Sequence, residues 1–155
     1  MKKILIWLLL LSACDTITLK PSTIALLSNG STKKWYTEKV FLNGQEQNQD
    51  CERDDIVTFE FVRPTTTQDD ANARRGGYLS LDPAFLKCDS QDAVQVWSWF
   101  LGKNEQNVYI ESSGFINVYE IIYLDEKRLK FRYTQEYRYG EQLDVYEYEL
   151  YSKWP

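Results

Sequence analysis

The chain has 155 residues, with 18 basic and 23 acidic side chains and a formal charge of -5. That length suits one domain around one core, and an acidic balance argues against nucleic acid, which is gripped by clustered Lys and Arg that displace phosphate counterions. Histidine is absent altogether, which removes Ser-His-Asp and Cys-His nucleophiles, imidazole metal ligands and the usual acid/base group near neutral pH.

Lys2 and Lys3 open the chain and Ile4 to Leu11 form an apolar run. A membrane-spanning helix needs roughly 20 such residues, so this stretch fits a signal peptide instead. It ends in Leu11-Ser12-Ala13-Cys14, which resembles the bacterial lipobox. The resemblance implies cleavage between Ala13 and Cys14, diacylation of the Cys14 thiol, and a stable membrane anchor, because more than one acyl chain is needed for firm attachment. Residues 1–13 are then a signal peptide, 14–32 the lipidated N-terminus, tether and a short helix, and 33–155 the folded domain. Removal of Lys2 and Lys3 leaves 16 basic residues against 23 acidic ones, a charge of -7. The expected location is the cell envelope, on the inner or the outer membrane.

Within the tether, Pro21-Ser22 is a helix start, Ile24 to Leu27 an apolar turn, and Asn29-Gly30 a stop. From Lys33 onward, short runs of Val, Ile, Tyr, Phe and Trp alternate with polar or glycine-containing breaks, the signature of consecutive strands. Strands are predicted at 34–42, 56–62, 77–81, 94–101, 108–111, 118–124, 128–134 and 145–151. Turns at 102–106, 112–114, 125–127 and 139–141 make their neighbours antiparallel hairpins. The polar stretch 64–75 is read as a loop. Arg74 and Arg75 at its end are solvated charges or, alternatively, contacts for an anionic headgroup at a barrel mouth.

Alternation separates the two faces of each strand. Leu129, Phe131 and Tyr133 oppose Lys130 and Arg132; Tyr146, Tyr148 and Leu150 oppose Glu147 and Glu149; Val57, Phe59 and Phe61 oppose Thr58 and Glu60. About eight one-sided antiparallel strands joined by short hairpins predict an all-β fold, a small up-and-down barrel rather than a sandwich. Such a barrel is either filled by side chains or hollow enough for one small ligand.

With Cys14 committed to lipid, Cys51 and Cys88 remain as an even pair in an exported protein, which reads as one disulfide, with two free thiols as the rival. Asp54 and Asp55, adjacent on a strand entry, point to opposite faces and cannot clasp one reacting atom. Asp69-Asp70 lack EF-hand spacing. No catalytic residue, metal or cofactor is assigned.

A short helix, Trp35 opening the first strand, Cys51-x-x-Asp54-Asp55-x-x-x-Phe59, Cys88 and an aromatic strand around Trp97 together resemble the bacterial lipocalin-like lipoproteins of Bacteroidetes-type bacteria, over roughly residues 22–151. Where lipocalins carry glycine two positions before the tryptophan, this chain has Lys33. The resemblance implies a small antiparallel barrel with an apolar ligand cavity. Trp97 and Trp99, two apart on one strand, are candidate ligand-binding residues together with Tyr119, Tyr123, Phe131, Tyr133, Tyr146 and Tyr148; core filling is the competing role for all of them. The expected function is an envelope-anchored, non-enzymatic barrel that binds a small hydrophobic or amphipathic ligand, its partners being the membrane through the anchor and that ligand. The alternative is a non-catalytic protein-interaction or inhibitor module with a solid barrel core that meets an envelope protein.

Overall fold

A computed structural model describes residues 21–47, 54–63, 75–84, 93–135 and 144–153. Cys14, Cys51, Cys88 and Arg74 lie outside the described residues, as does most of the polar stretch before β4. The elements are α1 (Thr23–Ser28), β1 (Thr32–Leu42), β2 (Gln45–Gln47), β3 (Ile56–Phe61), β4 (Gly76–Asp82), β5 (Gln95–Leu101), β6 (Asn107–Ser112), β7 (Phe115–Leu124), β8 (Arg128–Gln135) and β9 (Asp144–Tyr151). Ser22 caps the helix by accepting from the Ala25 amide, and Asn29 in the left-handed region ends it.

From β3 to β9 each strand pairs antiparallel with the next. The lower half of β1 pairs with β3, and its upper half pairs with β9, from Tyr36↔Tyr151 to Leu42↔Tyr146. That last pairing closes eight strands into a barrel, and β2 is an extra ribbon folded back on β1. The sequence-predicted strands are all present. The ribbon was not predicted: Asn43 and Gly44 both take positive φ, 52° and 79°, which is what a two-residue hairpin turn matched to strand twist requires.

One end of the barrel is sealed by α1. Leu27 and Ile24 pack against the inward side chains of the strands, in a core that includes Trp35, Phe59, Trp99, Leu101, Val108 and Leu129. Trp35 and Trp99 are fully buried, and truncating residues of this size costs on the order of 3 to 5 kcal/mol. The Trp35 indole N–H donates to the Leu27 carbonyl at 2.9 Å. Lys33, also buried, donates to the Leu26 and Glu126 carbonyls at 2.9 and 2.8 Å and lies 4.0 Å above the Trp35 ring. Burial holds this ammonium below the usual lysine range, an effect that Glu126 and Asp125 offset in part.

Close approach of strands at the sealed end depends on Gly76 and Gly77. A Cβ on Gly76 would lie 1.8 Å from the Trp99 carbonyl oxygen, and one on Gly77 would lie 1.9 Å from that of Glu60. Arg75 belongs to this end as well, ion-paired with Glu105 of the β5–β6 turn, so it is not a headgroup contact at the mouth. Glu105 is held below the usual carboxylate range: burial opposes the shift, but hydrogen bonds from Thr23 and Arg75 outweigh it. This carboxylate therefore ties the helix to the barrel.

Outside the barrel, β7, β8 and β9 carry a charge ladder. Lys130 pairs with Glu147 at 2.9 Å and Glu149 at 3.1 Å, while Arg132 pairs with Glu147 at 2.9 Å and Glu120 at 3.4 Å. These are cross-strand neighbours of opposite sign, as the alternation implied. No helix among the described residues is long and apolar enough to cross a membrane.

Candidate functional site

Above the sealed end, the barrel interior is hollow. A cavity of about 240 Å³ is lined by residues from all eight barrel strands and by Asp55 just before β3. Its floor is formed by Leu79, Phe131 and Leu150, each less than 7% exposed, and Val40, Val57, Leu81 and Ile110 add aliphatic wall. Cavities of 150 Å³ lined by such groups stay dry and accept benzene, whereas drug-sized ligands occupy pockets of roughly 300 Å³ and more. The space therefore fits a small ring system or a short acyl chain.

One wall is aromatic. Tyr119 stacks on Tyr133 with centroids 5.0 Å apart, meets Phe131 edge-on at 6.1 Å and faces Tyr148 at 6.5 Å. Tyr133 and Tyr146 continue the array, 6.3 Å apart, and the Tyr133 hydroxyl donates to Asn117 at 3.3 Å. Burial, aided by neighbouring Tyr133, pushes the Tyr119 phenol up to about 12, so it is a neutral hydroxyl at physiological pH. Thr37 and Asp55 supply the other polar groups, and the Thr37 amide donates to the Asp55 carbonyl at 3.0 Å.

The eight residues singled out from the sequence divide into four groups. Trp97, Tyr119, Phe131 and Tyr148 line the cavity. Tyr133 and Tyr146 stand behind them as packing partners. Trp99 belongs to the solid core: it meets Phe59 edge-on at 5.1 Å, and its indole N–H donates to the Glu60 carbonyl at 3.1 Å. Tyr123 is on the outside, half exposed, with its hydroxyl bonded to Asp125 at 2.6 Å.

A β-bulge corrects the reading of Tyr123. The register slips between Ile121↔Phe131 and Tyr123↔Lys130, and one extra residue reverses the alternation, so that Leu124 rather than Tyr123 packs against the core. The same device operates in β1 between Thr37 and Lys39, where the inward set passes from Trp35 and Thr37 to Val40. Alternation places Val57 and Leu150 on apolar faces from the sequence alone, and it could have found Leu79 and Leu81, which continue a period-2 pattern in β4. Val40 was hidden by the bulge.

Comparisons with protein-family models, curated proteins and solved structures find no match. The site's chemistry therefore rests on its own residues. Among the described residues no group of three or more Cys, Asp or Glu side chains is placed to hold a metal. The arrangement provides apolar enclosure, aromatic stacking and a few hydrogen-bonding groups, the composition of a binding site.

Proposed function

We propose that this protein is an envelope lipoprotein of lipocalin-like type whose barrel binds a small hydrophobic or amphipathic ligand without catalysis. The observation that carries this reading is the apolar cavity of about 240 Å³ above a packed floor. The lipobox-like Leu11-Ser12-Ala13-Cys14 and the preceding apolar run support the anchor. Absence of histidine supports the non-catalytic reading.

The test is native mass spectrometry of the domain from residue 15 onward, produced in a bacterial host, with solvent extraction of any bound molecule. A stoichiometric small molecule is expected, and Leu81→Trp, which puts an indole into the cavity, should abolish it while the domain stays folded. Persistence of the molecule in that variant would reject the cavity as its site. For the anchor, radiolabelled palmitate should enter the full chain and be lost in Cys14→Ser.

A second reading, a module that meets an envelope protein, draws on the outer face of β5 and β7. There Val96, Ile116 and Val118 are 62%, 49% and 43% exposed, a density of apolar groups that marks interaction surfaces. Under this reading Ile116→Glu removes partner capture and leaves the cavity ligand in place.

A further inference from the structure

Tyr119 brings a hydroxyl to a cavity whose lining is mostly apolar. It lies on β7, opposite Val108 of β6 and Tyr133 of β8. Its ring is held by Tyr133 stacked at 5.0 Å, Phe131 edge-on at 6.1 Å and Tyr148 at 6.5 Å, and a ring packed in this way keeps its hydroxyl at one place in the site. Burial is the larger cause of its raised phenol pKa, so the oxygen itself is shielded from bulk water.

Buried donors normally find partners within the chain. The Trp35 and Trp99 indoles donate to the Leu27 and Glu60 carbonyls, and the Tyr133 hydroxyl donates to Asn117. The Tyr119 hydroxyl has no hydrogen-bond partner among the described residues. Neither has the hydroxyl of Thr37, which is 6% exposed and lines the same cavity from β1. An unbonded buried hydroxyl costs about 1 to 3 kcal/mol, a cost that a ligand oxygen removes.

We propose that the cavity selects a neutral carbonyl compound of small-ring or short-chain size, a ketone, lactone or ester, whose carbonyl oxygen accepts from the Tyr119 hydroxyl. This rests on the cavity reading above and adds the functional group that the site reads. No Lys or Arg is among the described lining residues, so a carboxylate or phosphate would leave water without a counter-ion, at a cost that one neutral hydrogen bond does not return. A carbonyl suits the site better than an alcohol, because it accepts without bringing a donor that needs its own partner. The Thr37 hydroxyl remains for a second oxygen, as in an ester or lactone.

The experiment is calorimetric titration of the chain from residue 15 onward with four probes that share a phenyl ring: acetophenone, ethylbenzene, 1-phenylethanol and benzoate. Acetophenone should bind more tightly than the alcohol and the acid. Tyr119→Phe should lower the preference for acetophenone over ethylbenzene about tenfold, the equivalent of one net hydrogen bond. The infrared carbonyl stretch of bound acetophenone should move to higher frequency in that variant, a change that loosened packing alone does not produce. In the unmodified chain, nuclear Overhauser contacts should join the acetophenone methyl group to the Tyr119 ring, a reading that needs no variant. A preference and a carbonyl frequency that survive Tyr119→Phe, or the absence of those contacts, overturn the role of Tyr119 and leave the cavity reading intact. Alcohol or benzoate bound as tightly as the ketone overturns the carbonyl class. Failure of both acetophenone and ethylbenzene to bind overturns the cavity reading as well.

Discussion

The ammonium of Lys33 lies 4.0 Å above the ring of Trp35, and both side chains donate to carbonyls of the same short helix, Lys33 to Leu26 and Trp35 to Leu27. A six-residue helix is too short to be stable alone. Here its last carbonyls are taken up by two side chains from β1, which fixes the helix across the end of the barrel.

Lys33→Met keeps an unbranched apolar side chain out to the Cε position and removes the donors, leaving the Leu26 and Glu126 carbonyls without this partner in a buried site. Stability should fall by about 2 to 4 kcal/mol in urea denaturation. Retention of the bound molecule in native mass spectra should be unchanged, since the cavity lies above the sealed end. A loss below about 0.5 kcal/mol would show that water replaces the ammonium at no cost.

Gly77→Ala should be among the most damaging small substitutions in the chain, because the new Cβ would lie 1.9 Å from the Glu60 carbonyl oxygen, a backbone atom that cannot turn aside. Separation of β3 from β4 at this point should cost at least about 3 kcal/mol. Gly114→Ala has open space around its Cβ and meets only the strain of a φ of 83°, so thermal unfolding should rank it clearly milder.

Tyr119 gives the barrel a sensitivity to alkali. Its phenol is raised from 10 to about 12 by burial, so the folded state retains a proton that the unfolded chain releases. The stabilisation is complete below pH 10 and is lost as pH climbs from 10 towards 12, on the order of 2 kcal/mol in all. Tyr119→Phe should flatten this decline and delete the latest phase of tyrosinate absorbance. An unchanged late phase would place the high phenol elsewhere.

Cys51 lies five positions before Ile56 and Cys88 six after Asp82, and Ile56 and Asp82 are cross-strand partners at the mouth. Thiol labelling of the denatured, unreduced domain from residue 15 onward should find neither cysteine free. Reduction should cost about 3 to 4 kcal/mol by the chain-entropy relation for a loop of this size. Labelling of both thiols without prior reduction would exclude the bond.

Much of the barrel was legible because its strands alternate strictly. Leu129 and Phe131, expected inside, are 1% and 6% exposed, and their charged neighbours form the outer ladder. Asn43-Gly44 also carried a hairpin signal, and β2 could have been found from it. Other features were not legible for physical reasons. A bulge inserts one residue without altering composition, so Tyr123 kept the pattern of an inward residue while facing solvent. Trp97 and Trp99 share a face but differ in depth: one borders a void and the other is packed against Phe59. Hollow space is the sum of side-chain volumes contributed by eight strands, and no local pattern encodes it. The placement of Arg75 depended on knowing which barrel end receives the β3–β4 connection.

Closure through β1 and β9 joins residues more than a hundred positions apart, from Tyr36↔Tyr151 to Leu42↔Tyr146. Asn43 reinforces the junction by donating to the Val145 carbonyl at 2.8 Å and to Asp144 at 2.8 Å. Until the last strand emerges, β1 presents an open edge, and the loop entropy of the whole chain must be spent before the seam forms. Folding should thus be slow, in the millisecond-to-second range typical of non-local β topologies, and any strand added to that edge in the interval competes directly with the protein's own C-terminal strand.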